Sequence, residues 1–324
     1  MKDTTKNKFV DLFRKHKELK ASEVAKRLVL SRQRVHQILK ILVQNGVLEK
    51  YGSPPTVYYQ LAKSIKPPKE GAYIDVPGVI NSFFLITARG EILEGYHAFE
   101  HWCIQRNLPI EKTALNYAET NKKYERYKSS LGLIDGTEKL TNTKGLDLAM
   151  DRIWYCDFYA IERYGKTRLG QLLHFGKMSQ STKLINQIIR ETKDRLDKVI
   201  QSYKIDAVGY IPPTLSREIQ IMKELKVGYN LSLPIIEIQK VKSAIVIPQK
   251  SLSKLSDRID NAQISMQIVD TRVFKNVLLI DDALGSGATL NEAARKIKDA
   301  QVSSRVYGFA ITGSYKGFEV LSEA

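Results

Sequence analysis

The chain has 324 residues, 43% of them hydrophobic, and a mean hydropathy of −0.28. That suits a globular protein of two or three domains with a sizeable core. No apolar run approaches the ~18 residues of a membrane span, and the opening MKDTTKNKF lacks the apolar stretch of a secretion signal, so membrane insertion and export are not expected and a cytoplasmic location is. The net charge is +16, and residues 1–70 carry most of it, with 16 Lys and Arg against six Asp and Glu, a balance that favours a polyanionic partner.

In chain order, ASEVAKRLVLSRQRVHQILKILVQNGVLEK comes first. Ser22 is placed to cap a short helix through Leu28, VLS to make a turn, and Ser31 to accept a hydrogen bond at the start of a second helix. That helix is expected to reach Asn45 and stop at Gly46, a suitable left-handed residue. Val35, Ile38, Leu39 and Leu42 recur at helical spacing and face the core. Gln33, Gln37, Lys40 and Gln44 point the opposite way, flanked by Arg32, Arg34 and His36. Gln suits an adenine edge, and Lys or Arg suits guanine or phosphate, so this face has the chemistry of a major-groove reader. VLEKYGSPPTVYYQL then reads as two strands, 47–50 and 57–61, joined by a turn at 52–55. Taken together, residues 7–61 resemble the winged helix-turn-helix family, which implies double-stranded DNA or another structured nucleic acid as partner. Use of the domain for protein docking or dimerisation is the alternative.

AKSIKPPKEG (62–71) reads as a charged, proline-containing linker. Residues 72–170 open on the apolar VINSFFLITARGEI and continue as ALNYAETNKKYERYK and GLDLAMDRIWYCDFYAIERYG, a mostly helical connecting region. It is expected to pack the first domain against the next or to mediate self-association into a homo-oligomer. Trp102, Trp154, Tyr155, Phe158 and Tyr159 read as core. Cys103 and Cys156 lack metal-like spacing and read as reduced thiols. GTEKLTNTKG lacks a strand–turn–helix frame on this reading and is not taken as a phosphate site.

Residues 171–324 begin with the amphipathic STKLINQIIRETKDRLDKVIQSY and then alternate short β-rich runs with helical ones: DAVGYI, SREIQIMKEL, LPIIEIQ, VLLID, TLNEAARKIKDA, VYGFAIT. Such alternation argues for a parallel sheet with crossover helices. Within it, NVLLIDDALGSGATLNEAA reads as an apolar strand that ends in Asp281 and Asp282, then a glycine-rich turn and a helix that opens near Ala288. Gly285 and Gly287 let the backbone wrap an oxyanion, the helix start adds partial positive charge, and Ser286 and Thr289 add hydroxyls. Adjacent carboxylates would repel a phosphate but suit a ribose diol.

This segment resembles the phosphoribosyl pyrophosphate (PRPP) motif of type I phosphoribosyltransferases, with Ser in place of the first Thr. The resemblance implies that Asp281 and Asp282 bind ribose hydroxyls and that Gly285, Ser286, Gly287, Ala288 and Thr289 bind the 5-phosphate. IDAVGYIPPTLSREIQIMKEL is similar to the pyrophosphate loop of the competence-protein ComF-like branch. The resemblance implies that Pro212 and Pro213 shape the loop and that Thr214, Ser216 and Arg217 meet pyrophosphate. PQKSLSKLSDRIDNAQISM (248–266) resembles that branch's mobile loop, which makes Lys250, Lys254 and Arg258 candidate pyrophosphate clamps. The Arg-Gly-Phe-Asn-Gln run of that branch is absent after Arg217, leaving the acceptor open. Tyr315 and Phe318 are candidates for stacking on a base. Chemistry at such a site passes through a cation-like ribose. Asp281, Asp282 and Arg217 are then the candidate catalytic groups, Mg²⁺ arrives with PRPP or its pyrophosphate, and no protein metal site is expected.

The expected fold is therefore α/β: a winged helix-turn-helix domain (1–61) and a Rossmann-like parallel-sheet phosphoribosyltransferase domain (171–324), with the helical region between. Two functions are open to such a chain. One is a nucleic-acid-binding regulator that responds to PRPP or a nucleotide; the purine-operon repressors join the same two domain types, by analogy only. The other is an active phosphoribosyltransferase or nucleotide-processing effector, for example of a phage-defence system, controlled by nucleic acid.

Overall fold

The computed structural model describes residues 3–16, 18–44, 47–53, 56–61, 80–213, 215, 217–241, 252 and 254–314. The chain separates into two compact units, Met1–Asp75 and Val76–Ala324.

The first unit runs α1 (Asp3–Lys15), β1 (Leu19–Lys20), α2 (Ala21–Leu28), α3 (Arg32–Gln44), β2 (Leu48–Ser53) and β3 (Thr56–Leu61). β3 lies between β1 and β2 and pairs antiparallel with both, the β2–β3 register running from Leu48↔Leu61 to Ser53↔Thr56. Val35, Ile38, Leu39 and Leu42 are all buried and pack with Phe9, Val24 and Leu48, as the helical spacing requires. Ser31 Oγ accepts from the Arg34 N–H at 3.3 Å. Ser22 is not the cap expected for α2. That helix begins at Ala21, one residue before Ser22, so Lys20 holds the cap position and the Glu23 carboxylate accepts from the Lys20 N–H at 2.6 Å. Val29, in the turn before α3, has a φ of 51°. The expected helix stop at Asn45 and Gly46, Pro54 and Pro55 of the turn, and the linker 62–71 lie outside the described residues.

In the second unit, β4 (Phe84–Ile86) and β5 (Ile92–Glu94) form a hairpin, followed by α4 (Gly95–Gln105) and α5 (Ile110–Glu125). β6 (Ile134–Asp135), α6 (Thr137–Thr141) and β7 (Arg152–Phe158) come next, then the small hairpin of β8 (Ala160–Ile161) and β9 (Gly165–Lys166). α7 (Arg168–Met178), α8 (Thr182–Ser202), β10 (Ala207–Tyr210), α9 (Ile221–Tyr229) and β11 (Ile235–Ile236) continue the chain. The last elements are β12 (Ile238–Lys240), α10 (Leu255–Ser265), β13 (Met266–Ile268), β14 (Phe274–Leu284), α11 (Ala288–Asp299) and β15 (Ser303–Gly313). One six-stranded sheet, ordered β11-β10-β14-β15-β7-β6, organises the unit. It is parallel from β11 to β7, and β6 closes the edge antiparallel to β7. Successive residues of β14 feed two cores: Val277 and Leu279 join one, Leu278 and Ile280 the other. A strand covered on both faces shows this pattern.

Two expectations give way here. Residues 72–170 do not form a separate helical connector, because β6 and β7 belong to the central sheet. RIWYCDF lacks polar alternation since Ile153, Trp154, Tyr155 and Cys156 are all buried, and a run apolar on both faces carries no period to separate strand from helix. Nor is 248–266 one loop. Residues 255–265 form α10, whose Ala262 is fully buried, with Leu255 and Ile259 packed on the core. Cys103 and Cys156 are free and buried, and burial raises both thiols, to about 11 and about 12. No described helix is long and apolar enough to cross a membrane.

Candidate functional site

β10 connects through α9 to β11 on one side of the sheet, whereas β14 connects through α11 to β15 on the other. Adjacent strands whose connections leave in opposite directions part at their carboxyl ends, and this switch point is where open α/β sheets bind ligands. A cavity of about 360 Å³ opens there, lined by the 211–222 segment, the 281–290 segment and α7.

The glycine-rich turn is set by the geometry of β14. Gly287 precedes α11 with a φ of +77°, a conformation that L side chains rarely adopt. A Cβ there would also lie 2.8 Å from the Leu140 side chain on α6, so the turn passes against α6 with no space to spare. Gly285, Ser286, Gly287, Ala288 and Thr289 all line the cavity, and the first turn of α11 presents backbone N–H groups beside it.

Asp281 and Asp282 both line the cavity, but they are not equivalent. Consecutive strand residues face opposite sides of a sheet. Asp282 turns towards α7 and pairs with Lys177 at 2.5 Å. Asp281 accepts from the Asp282 N–H at 2.8 Å. Burial, and then the neighbouring Asp282 charge, raise the Asp281 carboxyl well above the ordinary carboxylate range, against the lowering effect of that N–H and of Lys177.

Stability should depend on pH as a result. The folded carboxyl keeps its proton to higher pH than the unfolded one, so stability falls as pH rises from the unfolded value, ~4, through the raised folded value. Asn does not titrate. Asp281→Asn should therefore stabilise the fold by about 1 kcal/mol at neutral pH, or ~2–4 °C in melting temperature. The gain should shrink as pH drops towards 4. Melting curves across pH 4–8 check this, and a difference that stays constant with pH would contradict it.

The other anticipated residues separate. Arg217 lines the cavity, and its guanidinium donates to the Lys177 carbonyl. Arg258, on α10, also lines it and donates through Nε to the Leu252 carbonyl at 2.7 Å, and burial lowers its pKa. Lys254 is exposed at the start of α10 and is not part of the lining. Pro212 and Pro213 line the cavity. Thr214, Ser216, Lys250, Tyr315 and Phe318 lie outside the described residues. In the first unit, Arg32, Gln33, Arg34, His36, Gln37 and Lys40 are all exposed on α3. The side chain of Gln44, the last residue of α3, is not among those described.

Sequence reasoning missed the α7 wall. His174 and Lys177 both line the cavity, and His174 Nδ1 lies 3.2 Å from the Tyr159 hydroxyl. Their i, i+3 spacing places them on one helix face, but nothing local marks that face as one that lines a cavity. GTEKLTNTKG does have a strand–turn–helix frame, contrary to expectation, formed by β6, Gly136 and α6. Asp135 Oδ1 already accepts from the Thr137 N–H at 2.8 Å, so a carboxylate occupies the place a phosphate would take. On α6, Lys139 donates to the Ser314 carbonyl and lies 3.1 Å from its hydroxyl, and burial lowers its pKa to about 8. Among the described residues, no group of three or more His, Cys, Asp or Glu is arranged to hold a metal.

No family model matches the chain, and no curated protein matches it. Among solved structures it is similar to an adenine phosphoribosyltransferase, with 16% identity over 44% of this chain and 78% of that one, at a TM-score of 0.28. A hypoxanthine phosphoribosyl transferase of Trypanosoma cruzi shows 12% identity over 44% and 72%, TM-score 0.29. An adenine phosphoribosyl transferase from Trypanosoma brucei, solved with AMP, pyrophosphate and ribose-5-phosphate, shows 13% over 53% and 85%, TM-score 0.27. Likenesses this distant leave the function to rest on the site itself.

Proposed function

We propose that this chain is a ligand-responsive, nucleic-acid-binding protein whose second unit binds PRPP or a nucleotide. The observation that carries the reading is one cavity, at the switch point between β10 and β14, into which Asp281, Asp282, the 285–289 turn and the guanidinium-bearing Arg217 and Arg258 all converge. A ribose diol suits the carboxylates, a 5-phosphate the backbone N–H groups at the start of α11, and a further phosphate the two arginines. The two carboxylates together with ligand phosphates are also the donor set that Mg²⁺ prefers, one or two protein oxygens being usual. Mg²⁺ bound there would offset the charge of the pyrophosphate.

The first unit supplies the other half of the proposal. Its order of elements and its exposed Gln, Lys and Arg on α3 support a winged helix that lays α3 in a major groove. A ligand alters nucleic-acid affinity only if it favours one state of the protein over another. The expected coupling is ~1–3 kcal/mol, and by linkage nucleic acid must change PRPP affinity by the same factor. Titrating duplex DNA with and without saturating PRPP, and then the reverse, measures both arms. Equal affinities throughout would leave two independent binding domains and end the regulator reading.

A second reading is favoured by Asp281 itself. A cavity-lining carboxyl with a raised pKa is a candidate proton carrier near neutrality, which the sequence alone did not offer. On that reading the domain is a phosphoribosyltransferase or a nucleotide-processing effector. Mass spectrometry of metabolites incubated with the protein, PRPP and Mg²⁺ separates the two, because only an enzyme releases pyrophosphate and a new riboside.

A further inference from the structure

A PRPP molecule in this cavity would bring several negative charges to a wall that already holds two carboxylates, and a divalent ion ordinarily offsets such charge. Here a cation is already built into the wall. Lys177, in the last turn of α7, places Nζ 2.5 Å from Asp282 Oδ2, and the two side chains retain only 28% and 16% of their exposure. It lines the same cavity as the phosphate turn.

Its position is held from two sides. Besides the ion pair to β14, the Lys177 carbonyl accepts from Arg217. Three residues on, Gln180 Oε1 accepts from the Ile219 N–H at 2.9 Å. The end of α7 is thus tied both to the strand that bears the carboxylates and to the β10–α9 segment expected to meet pyrophosphate. An ammonium has three donors, so pairing with Asp282 leaves N–H groups for a phosphate oxygen. With Arg217 and Arg258, the cavity wall carries three cations against two carboxylates.

Resting on the phosphoribosyl reading of the cavity, we infer that Lys177 is the resident cation of this site: it neutralises Asp282 and donates to a phosphate or pyrophosphate oxygen of the bound ligand, so that PRPP binds without requiring a divalent ion. Mg²⁺ that travels with PRPP is then accommodated by the site and not required by it.

Calorimetric titration of PRPP into the full chain, in EDTA and in Mg²⁺, tests this. The wild type should bind with similar affinity in both buffers. Lys177→Met should lose roughly tenfold to a hundredfold in EDTA, the worth of one charge-assisted hydrogen bond, and regain most of it in Mg²⁺. Lys177→Arg should keep the wild-type pattern. Wild-type binding that appears only with Mg²⁺, or Lys177→Met that matches the wild type in EDTA, overturns the inference and leaves the phosphoribosyl reading standing. Absence of PRPP binding in either buffer removes that reading, and this inference with it. If Lys177→Met does not fold, the wild-type comparison between the two buffers decides.

Discussion

Asp281→Asn combined with Asp282→Asn should reduce the affinity for PRPP or a nucleotide by roughly 10²–10⁴-fold, two hydrogen bonds to charged groups being worth ~1.5–3 kcal/mol each. An opposing effect must be weighed. Removing the Asp282 charge, and whatever fraction of Asp281 is ionised, relieves repulsion of the phosphates, which alone would tighten binding. The hydroxyl contacts should win because they are direct, whereas a phosphate at the start of α11 is separated from the carboxylates by the glycine-rich turn. Loss of folding should not confuse the result. The Asp281 replacement is expected to stabilise, and Lys177, freed of Asp282, keeps access to solvent through the cavity. Calorimetry with PRPP and with nucleoside monophosphates, alongside a melting curve, measures both quantities. Unchanged affinity in a folded double variant would put any ligand elsewhere on the chain.

The parts of this structure legible in the sequence are those governed by local chemistry. The stripe of Val35, Ile38, Leu39 and Leu42 announces which face of α3 is buried, and those residues are buried. VLLI before two acids, then Gly-Ser-Gly and a helix-forming run, gives β14, its turn and α11 without knowledge of any other element. What failed depended on partners distant in the chain. RIWYCDF is a strand because β15 lies beside it, and Ser-rich 248–266 contains a helix because Ala262 meets the core. Lys177 escaped notice for the same reason. Nothing near it in sequence is acidic, and its carboxylate partner reaches it only when α7 covers the carboxyl end of β14.

Replacing Gln33, Gln37 and Lys40 together by Ala should weaken binding to duplex DNA by several kcal/mol. Each good base contact is worth ~1–3 kcal/mol, and loss of one phosphate-contacting lysine should reduce the salt dependence of log K by ~0.9. The substitutions should leave the fold alone. All three side chains are exposed on α3, the helix is held by its buried stripe, and Ala is a better helix former than Gln or Lys. One local contact is lost, the 3.4 Å hydrogen bond between Arg34 and Gln37, which is exposed and contributes little. Electrophoretic or anisotropy titrations at two salt concentrations would resolve a missing base contact, which changes affinity at both salts equally, from a missing phosphate contact, which changes the slope. A triple variant that binds as the wild type does would move nucleic acid to another face of the unit. A wild-type chain that binds neither duplex nor hairpin at low salt would leave α3 as a protein-docking surface. The cationic charge of residues 1–70 would then need an acidic protein as its partner.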